Sequence, residues 1–308
     1  MNKTVLITGG NGLIGKPLTA ALLNKGYRVH HLSRNKTSRI AGVKSFEWDI
    51  NARTIDPACI EGIESIIHLA GEGIAARPWT SKQKKELIES RTESIRLIYK
   101  LIRQHPQSSV KNIISASGVG IYGNQSDELL AESSPAGSDF LSKCCVEWEK
   151  AVDEISDLGL RIVKLRTGVV FSPDGGALAQ MDKPIKAGLG ALLGNGKQWM
   201  PWIHIQDIVD LYCFALENTS LEGAFNAAAP DPVTNQTATE IIAKVLDKKI
   251  RLPHVPAFVL RIILGEMRAI VLNSTKTSQE KILSAGFGFT FESLEDALTD
   301  IYARKTAG

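Results

Sequence analysis

Cysteine is scarce in this chain: Cys59, Cys144, Cys145 and Cys213 are the four among 308 residues. They show no paired metal-ligand spacing, and the only two close in sequence, Cys144 and Cys145, are direct neighbours, a poor geometry for a structural disulfide. No metal site and no disulfide framework are expected, and buried reduced thiols imply the cytoplasm. An excess of one charge is missing too. Lys plus Arg number 36 and Asp plus Glu 33, leaving +3, too little to argue for a nucleic-acid or membrane-surface partner. Long hydrophobic runs are absent as well. The apolar stretch after Lys3 is only Val5-Leu6-Ile7, short of the roughly 7 to 15 residues of a signal-peptide core. The most apolar later segment, VPAFVLRIILG, is broken by Arg261 and falls below the ~20 residues of a bilayer span. Neither export nor membrane insertion is predicted, and internal repeats and low-complexity tracts are lacking.

Present in their place is an alternation. TVLITG, YRVHHLS, SIIHLAG, NIISAS and RIVKLRTGVVF read as strands. Between them KPLTAALLNKG and SKQKKELIESRTESIRLIYKLIRQ carry apolar residues at helical spacing. Strand and helix in turn predict an α/β fold, a Rossmann-type doubly wound parallel sheet covered on both faces. After about Phe171 the rhythm breaks into Gly- and Pro-containing loops and further helix patterns around QDIVDLYCFALEN and TATEIIAKVLDK. This predicts a dinucleotide-binding domain over residues 1–170 and a smaller, mixed substrate lobe over residues 171–308.

The stretch VLITGGNGLIG follows a strand and opens a helix, the context in which a glycine fingerprint carries meaning. Gly9 permits the turn, Gly12 lets the main chain approach a pyrophosphate, and Gly15 lets helix and strand pack closely. Asn11, Leu13 and Ile14 complete the loop, and the helix N-terminus faces the anion with its partial positive charge. An acidic residue closing the second strand would grip the ribose of NAD. Here the strand ends in Ser33 and Arg34, with Lys36 and Arg39 nearby, so a hydroxyl and cations stand where a 2′-phosphate would sit, and NADP(H) is the expected cofactor. Asp49, after FEW, is placed to accept from the adenine amino group.

These glycines, HLAGE, SASGVGIYG, LRTGVV and WIHIQDIVD, taken in chain order, resemble the extended short-chain dehydrogenase/reductases. Within them the chain is most similar to an atypical, NAD-dependent epimerase/dehydratase-like group once described as nucleoside-diphosphate-sugar epimerases. LPHVPAFVLRIILGEMRAIVLNSTKTSQEKILSAGFGF resembles that group's C-terminal segment, here at about 252–300, and the epimerase-like region would run to about 220. The resemblance implies that Leu69, Ala70 and Gly71 line the cofactor, that Glu86 and Arg91 reach it from the long helix, and that Val169 closes over the nicotinamide end.

Complete members of this superfamily use Tyr-x-x-x-Lys, helped by Ser or Thr, to move a proton while the nicotinamide exchanges hydride; the Lys holds the ribose and lowers the tyrosine pKa. Ser117 occupies the Ser position. DFLSKCCVEWE keeps Ser142, Lys143 and Glu147 of the Tyr-x-x-Ser-Lys-x-x-x-Glu pattern, but Asp139 stands for the tyrosine. A shift of one residue would put Phe140 and Cys144 there instead. Asp139 reads either as an acid raised by burial or as a helix N-cap, and Tyr122 is the nearest other phenol. Related sugar-nucleotide enzymes place an arginine ahead of the IH motif to hold a substrate pyrophosphate. Here Met200-Pro201-Trp202 precede Ile203-His204, and Trp199, Met200 and Trp202 predict an apolar wall for a less charged ligand. His204 and Asp207 read as a structural pair tying the lobes together.

The expectation is an NADP(H)-dependent oxidoreductase on an unidentified small carbonyl or hydroxyl compound. Ser117 would orient the substrate oxygen, Lys143 would fix the ribose, and the proton would come from Asp139, Tyr122 or water. Two rivals stand beside it, a nucleotide-sugar epimerase/dehydratase and a non-catalytic NADPH-sensing protein. A small molecule is the expected partner, with no nucleic acid and no membrane, and a homodimer is left open.

Overall fold

The computed structural model describes residues 3–35, 38 and 40–307, so Lys36 and Arg39 lie outside the described residues. Alternation along β1 (Thr4–Thr8) sets the layers. Val5 and Ile7 pack with α1 (Gly15–Asn24) on one face. Leu6 packs on the other with β2 (Arg28–Ser33) and β3 (Lys44–Asp49), through Leu32, Phe46 and Trp48. A two-residue strand, β4 (Thr54–Ile55), turns back antiparallel on β3. The chain then crosses to β5 (Ser65–His68), all four residues buried, on the far side of β1.

From there α2 (Ser81–Gln104), β6 (Asn112–Gly118), a short β7 (Leu129–Leu130) outside the main sheet, α3 (Phe140–Asp153) and β8 (Arg161–Thr167) follow in order. α2 and α3 pack together over Leu6, Ile66 and Ile113 through Leu97, Ile98 and Trp148. The main sheet runs β13-β8-β6-β5-β1-β2-β3-β4, where β13 is Gly223–Ala227 and pairs parallel with β8. Connections leave β1 toward β2 and later toward β5, so the switch point lies between β1 and β5, where open α/β sheets form a crevice beyond the strand C-termini.

The expected strand RIVKLRTGVVF is broken at Gly168. Its amide donates to Ala227 O at 2.9 Å, and a Cβ there would stand 2.7 Å from Pro201 O, so only glycine passes. Beyond it β9 (Val169–Ser172) pairs with β10 (Gly175–Gly176) and β12 (Trp202–His204), not with the main sheet. α4 (Ala177–Lys186), β11 (Trp199–Met200), β14 (Val233–Thr234) and α6 (Asn235–Val245) build the smaller lobe around Phe171, Leu178, Trp202 and Ile242.

One cut at 170 does not separate the two lobes. α5 (Ile205–Glu217) returns to pack on α1, through Ile208, Leu211 and Tyr212, and β13 completes the large sheet. Residues after 255 add α7 (Ala257–Leu264), α8 (Ala269–Leu272), β15 (Lys276–Thr277), α9 (Glu280–Ser284) and α10 (Leu294–Ala307). This last segment braces the lobes. Asp207 accepts the amides of Thr290 and Phe291 at 2.8 and 3.1 Å. His204 Nε2 lies 3.2 Å from Asp300, and Asn226 Nδ2 donates to Leu130 O and Ser278 O. His204 and Asp207 are thus structural links, as their motif suggested.

Candidate cofactor and substrate site

The glycine loop sits at the switch point. Gly9 has φ 69°, and a Cβ on it would stand 2.9 Å from Leu69 O, so the turn closes directly on the chain leaving β5. Thr8 Oγ1 fixes that approach by accepting the amides of Leu69 and Ala70 at 3.1 and 3.0 Å. Gly15 is required for packing, because a Cβ would lie 2.3 Å from Gly9 O. Gly12 differs: its added Cβ would meet only Gly9 O, at 3.2 Å, so the space before Gly12 is kept open for something other than protein. Ile14 at the α1 N-cap offers no side-chain acceptor; Lys16 N donates to Gly12 O, Leu18 N to Ile14 O and Pro17 has no N–H, so the amides of Leu13, Ile14 and Gly15 are the ones left for an anion. Asn11 is exposed beside this cradle, and Leu13 reaches the smaller lobe, its Cδ2 within 2.9 Å of a Cβ placed on Gly176. The residues present fit a dinucleotide pyrophosphate.

Beneath the loop His31 fills the space that a side chain at Gly10 would need. Its Nε2 lies 2.9 Å from Thr19 Oγ1, which donates to Gly15 O at 2.7 Å. Burial lowers the His31 pKa to about 4, so the ring is neutral and Nε2–H donates to Thr19. Sequence reading missed this residue, whose only signal is a polar ring in an otherwise apolar strand interior.

At the end of β2 Ser33 Oγ donates to Asn35 O at 2.5 Å and lies 3.3 Å from Ser45 Oγ, and Arg34 is exposed beside it. Asp49 Oδ1 accepts the amides of Asn51 and Ala52 at 2.8 and 3.0 Å, closing the turn after β3. The carboxylate is exposed, at the strand end where an adenine would lie.

Leu69 and Ala70 stand at the crevice floor. Gly71 is held by Arg91, whose side chain lies 3.2 Å from where a Cβ would stand. Arg91 itself donates to Leu87 O and Glu72 O, both at 2.8 Å, and stacks over Trp148 at 5.1 Å. It positions the loop after β5 from behind. Glu86 is half-buried in a cleft of about 290 Å³ at the start of α2, between Arg77, Thr80, Lys82 and Gln83. Thr80 caps the helix there: Thr80 and Gln83 have capping-box spacing, and Gln83 N donates to Thr80 Oγ1 at 3.2 Å. Val169, half-buried, is held by its amide on Pro201 O at 2.7 Å.

The expected proton-handling residues are not brought together. Ser117 is buried, and its hydroxyl donates to Glu149 Oε1 at 2.7 Å. Glu149 also takes Arg166 Nε and Nη2 at 2.8 and 2.9 Å, and Arg166 Nη1 donates to Tyr122 Oη at 2.9 Å. Tyr122 is 0% exposed and donates to Asn226 Oδ1 at 2.7 Å, with its pKa raised by burial. This sealed network leaves Tyr122 no route to a substrate. Burial works to raise the Glu149 pKa, but the hydrogen bonds and charge of Arg166 outweigh it and hold the carboxyl below the usual range.

Asp139 is the N-cap of α3. Its Oδ1 accepts Ser142 N at 2.9 Å and its Oδ2 accepts Asn273 Nδ2 at 2.6 Å. The N-cap reading therefore holds, and the carboxylate is committed to structure. Lys143 is exposed and Glu147 pairs with Lys150 on the surface. The glutamate of α3 that faces inward is Glu149. Counting the pattern back from it puts Cys145 in the lysine place and Leu141 in the tyrosine place, a register two residues on from the expected one. The geometry agrees, since a Cβ on Gly118 would lie 3.5 Å from Cys145 Sγ, and one on Gly120 3.5 Å from Leu141 Cβ. Burial pushes the Cys145 thiol up to about 12, so neither side chain moves a proton near neutrality.

Two outcomes follow. Lys143→Met should leave NADPH affinity within about twofold, as for an exposed surface charge; a tenfold loss measured by calorimetry would return Lys143 to the ribose. Glu149→Ala should cost about 3–5 kcal/mol in urea unfolding, because Arg166 would be left buried without its partner.

The anticipated aromatic wall is also smaller. Trp202 is fully buried, stacked on Phe171 at 6.4 Å, with Nε1 donating to Asp231 O. Trp199 and Met200 are half-buried; the Trp199 indole donates to Asp127 at 2.8 Å and carries Lys276 over its ring at 4.2 Å.

Comparison with known proteins places these features. The model of the NAD dependent epimerase/dehydratase family matches residues 5–228, and that of a domain of unknown function, DUF1731, matches residues 255–301. Epimerase family protein YfhF of Bacillus subtilis is 35% identical over 305 residues, covering 98% of this chain and 99% of that one. The crystal structure of human epimerase family protein SDR39U1 (isoform2), which contains NADPH, aligns with TM-score 0.86 at 33% identity over 97% of this chain and 99% of that one. Thermus thermophilus UDP-glucose 4-epimerase, solved with NAD, aligns with TM-score 0.76 at 20% identity over 99% of both chains, a likeness of fold. With the glycine cradle at the β1/β5 switch point and near full-length relatives on both measures, the chain belongs to the NAD-dependent epimerase/dehydratase family.

Proposed function

We propose that this protein binds NADP(H) and is an oxidoreductase for a small carbonyl or hydroxyl compound. The observation that carries the reading is the open space before Gly12 at an α1 N-terminus without a side-chain cap, with an exposed arginine beyond the next strand. When bound, the reduced nicotinamide supplies the hydride. The chain's own part is to hold the pyrophosphate on bare amides, to meet the 2′-phosphate with Ser33 and Arg34, and to floor the crevice with Leu69 and Ala70. With Tyr122 sealed and Asp139 capping a helix, the proton comes from water. The four buried free thiols keep the reading in the cytoplasm.

The cofactor half is tested by Arg34→Ala, expected to weaken NADPH about tenfold while leaving NADH nearly unchanged, as for loss of a charge-assisted phosphate contact. Equal losses for both nucleotides would show the 2′-phosphate to lie elsewhere. The chemical half is tested by loss of reduced-nicotinamide absorbance across a library of carbonyl compounds.

The second reading, a non-catalytic NADPH-binding protein whose conformation reports the cofactor, is favoured by Leu141 and Cys145 facing Gly120 and Gly118. Tight NADPH binding with no turnover of any library member would select it. Nucleotide-sugar epimerisation is supported less, because Met200-Pro201-Trp202 offers no cation to a substrate pyrophosphate.

A further inference from the structure

The near-neutral balance of the whole chain conceals a local concentration of charge. Residues 247–268 hold five cations, Lys248, Lys249, Arg251, Arg261 and Arg268, against Asp247 and Glu266. Their net charge equals the +3 of the full sequence. Glu266 is moreover occupied by Lys84 of α2, while Lys248, Lys249, Arg251 and Arg261 are exposed.

The same segment carries an unpartnered apolar surface. α7 reads Ala257-Phe258-Val259-Leu260-Arg261-Ile262-Ile263-Leu264, and only Leu260 is buried. Phe258, Ile262 and Ile263 are 67%, 79% and 70% exposed. Phe258 and Ile262 stand one turn apart, Ile263 widens the stripe, and Arg261 flanks it, so apolar tips and one cation share the solvent side of the helix. Leu252, 43% exposed, precedes the helix beside Arg251.

We propose that α7 and the basic segment before it dock reversibly on an anionic phospholipid surface. The apolar tips enter the acyl boundary while the surrounding lysines and arginines meet the headgroup phosphates. Charge decides between occupants. Isologous pairing with a second copy would set the same basic segment against itself, and a neutral bilayer would leave the cations without partners. Aliphatic Ile262 and Ile263 have no use on a nucleic-acid backbone. The helix has eight residues, so the attachment is peripheral. The proposal concerns a face outside the glycine cradle and stands whether or not the protein turns over a substrate.

The test is co-sedimentation of the full chain with vesicles of phosphatidylcholine, alone or mixed with phosphatidylglycerol, alongside sedimentation velocity without lipid. The intact protein is expected to pellet with the mixed vesicles only, and less so as salt rises. Phe258→Ser/Ile262→Ser/Ile263→Ser should lower binding at least about tenfold. Arg251→Gln and Arg261→Gln should each lower it about fivefold. Both sets should keep the thermal midpoint and NADPH affinity of the parent. The proposal is overturned by absence of pelleting with either vesicle, by equal pelleting with both, or by unchanged binding of the triple variant. A dimer of the parent that the triple variant converts to monomer would overturn it in favour of a second copy.

Discussion

Gly12→Val should give a folded protein that no longer holds NADPH. The Cβ added at Gly12 meets one protein atom within 4 Å, Gly9 O at 3.2 Å, and the residue does not have the positive φ that Gly9 has. The fold therefore has no stake in the substitution beyond a slight adjustment of that oxygen, and the thermal midpoint should move by only a degree or two, the scale of a ~0.5 kcal/mol change. The two methyl groups would instead occupy the approach to the amides of Leu13, Ile14 and Gly15 at the α1 N-terminus. Excluding a pyrophosphate from them should cost about 2–3 kcal/mol, on the order of 100-fold in Kd. Gly15→Val provides the contrast. Its Cβ would run into Gly9 O and Gly10 Cα at 2.3 and 2.7 Å, so it should lose stability and binding together. If Gly12→Val bound NADPH as tightly as the parent in calorimetry, the cradle would have been assigned to the wrong ligand.

Lowering the pH from 7 to 5 should remove about 4 kcal/mol of stability through two buried imidazoles. His68 is 0% exposed between Ser94 Oγ at 2.8 Å and Ser115 Oγ at 3.2 Å; burial, aided by the charge of Arg91, lowers its pKa to about 3. Burial alone takes His31 to about 4. Both folded values lie below the 6.5 of a free imidazole, so below that pH the unfolded chain takes up protons that the folded chain refuses. The stabilisation is complete above pH 6.5 and is lost as the pH falls toward 4 and 3. A drop of one and a half pH units below the free value costs about 2 kcal/mol per ring, a large share of a typical net stability of about 5–15 kcal/mol. His204 shifts in the same direction by burial, opposed by Asp300. Urea unfolding at the two pH values would measure the difference, and identical free energies would show that these rings do not titrate on unfolding.

The layers of the fold were legible because their cause is local. Short apolar runs separated by amphipathic helices leave little choice of sheet, and the glycine loop could be placed between β1 and α1 from its neighbours alone. Asp139 announced a helix start in the same way. The break at Gly168 was not legible, since it depends on Pro201 O and Ala227 O, both distant in sequence. Nor was the register of α3. The sequence offers Glu147 and Glu149 two residues apart, and only the burial of Glu149 against Arg166 of β8 decides which one faces inward. Tyr122 shows the same limit: a phenol near a motif reads as chemistry until its hydroxyl is found between Arg166 and Asn226. Trp202 failed as a substrate wall because strand alternation turned it into the core of the smaller lobe.

The position of β13 also bears on biosynthesis. β8 ends at Thr167 and its outer partner begins at Gly223, so a nascent chain emerging from the ribosome shows a bare row of amides and carbonyls along β8 until more than fifty further residues have been made. During that interval Arg161, Lys164 and Arg166, all on β8, are the charges on hand to discourage pairing with another nascent copy, and the sheet becomes safe only when Phe225 arrives to seal its margin.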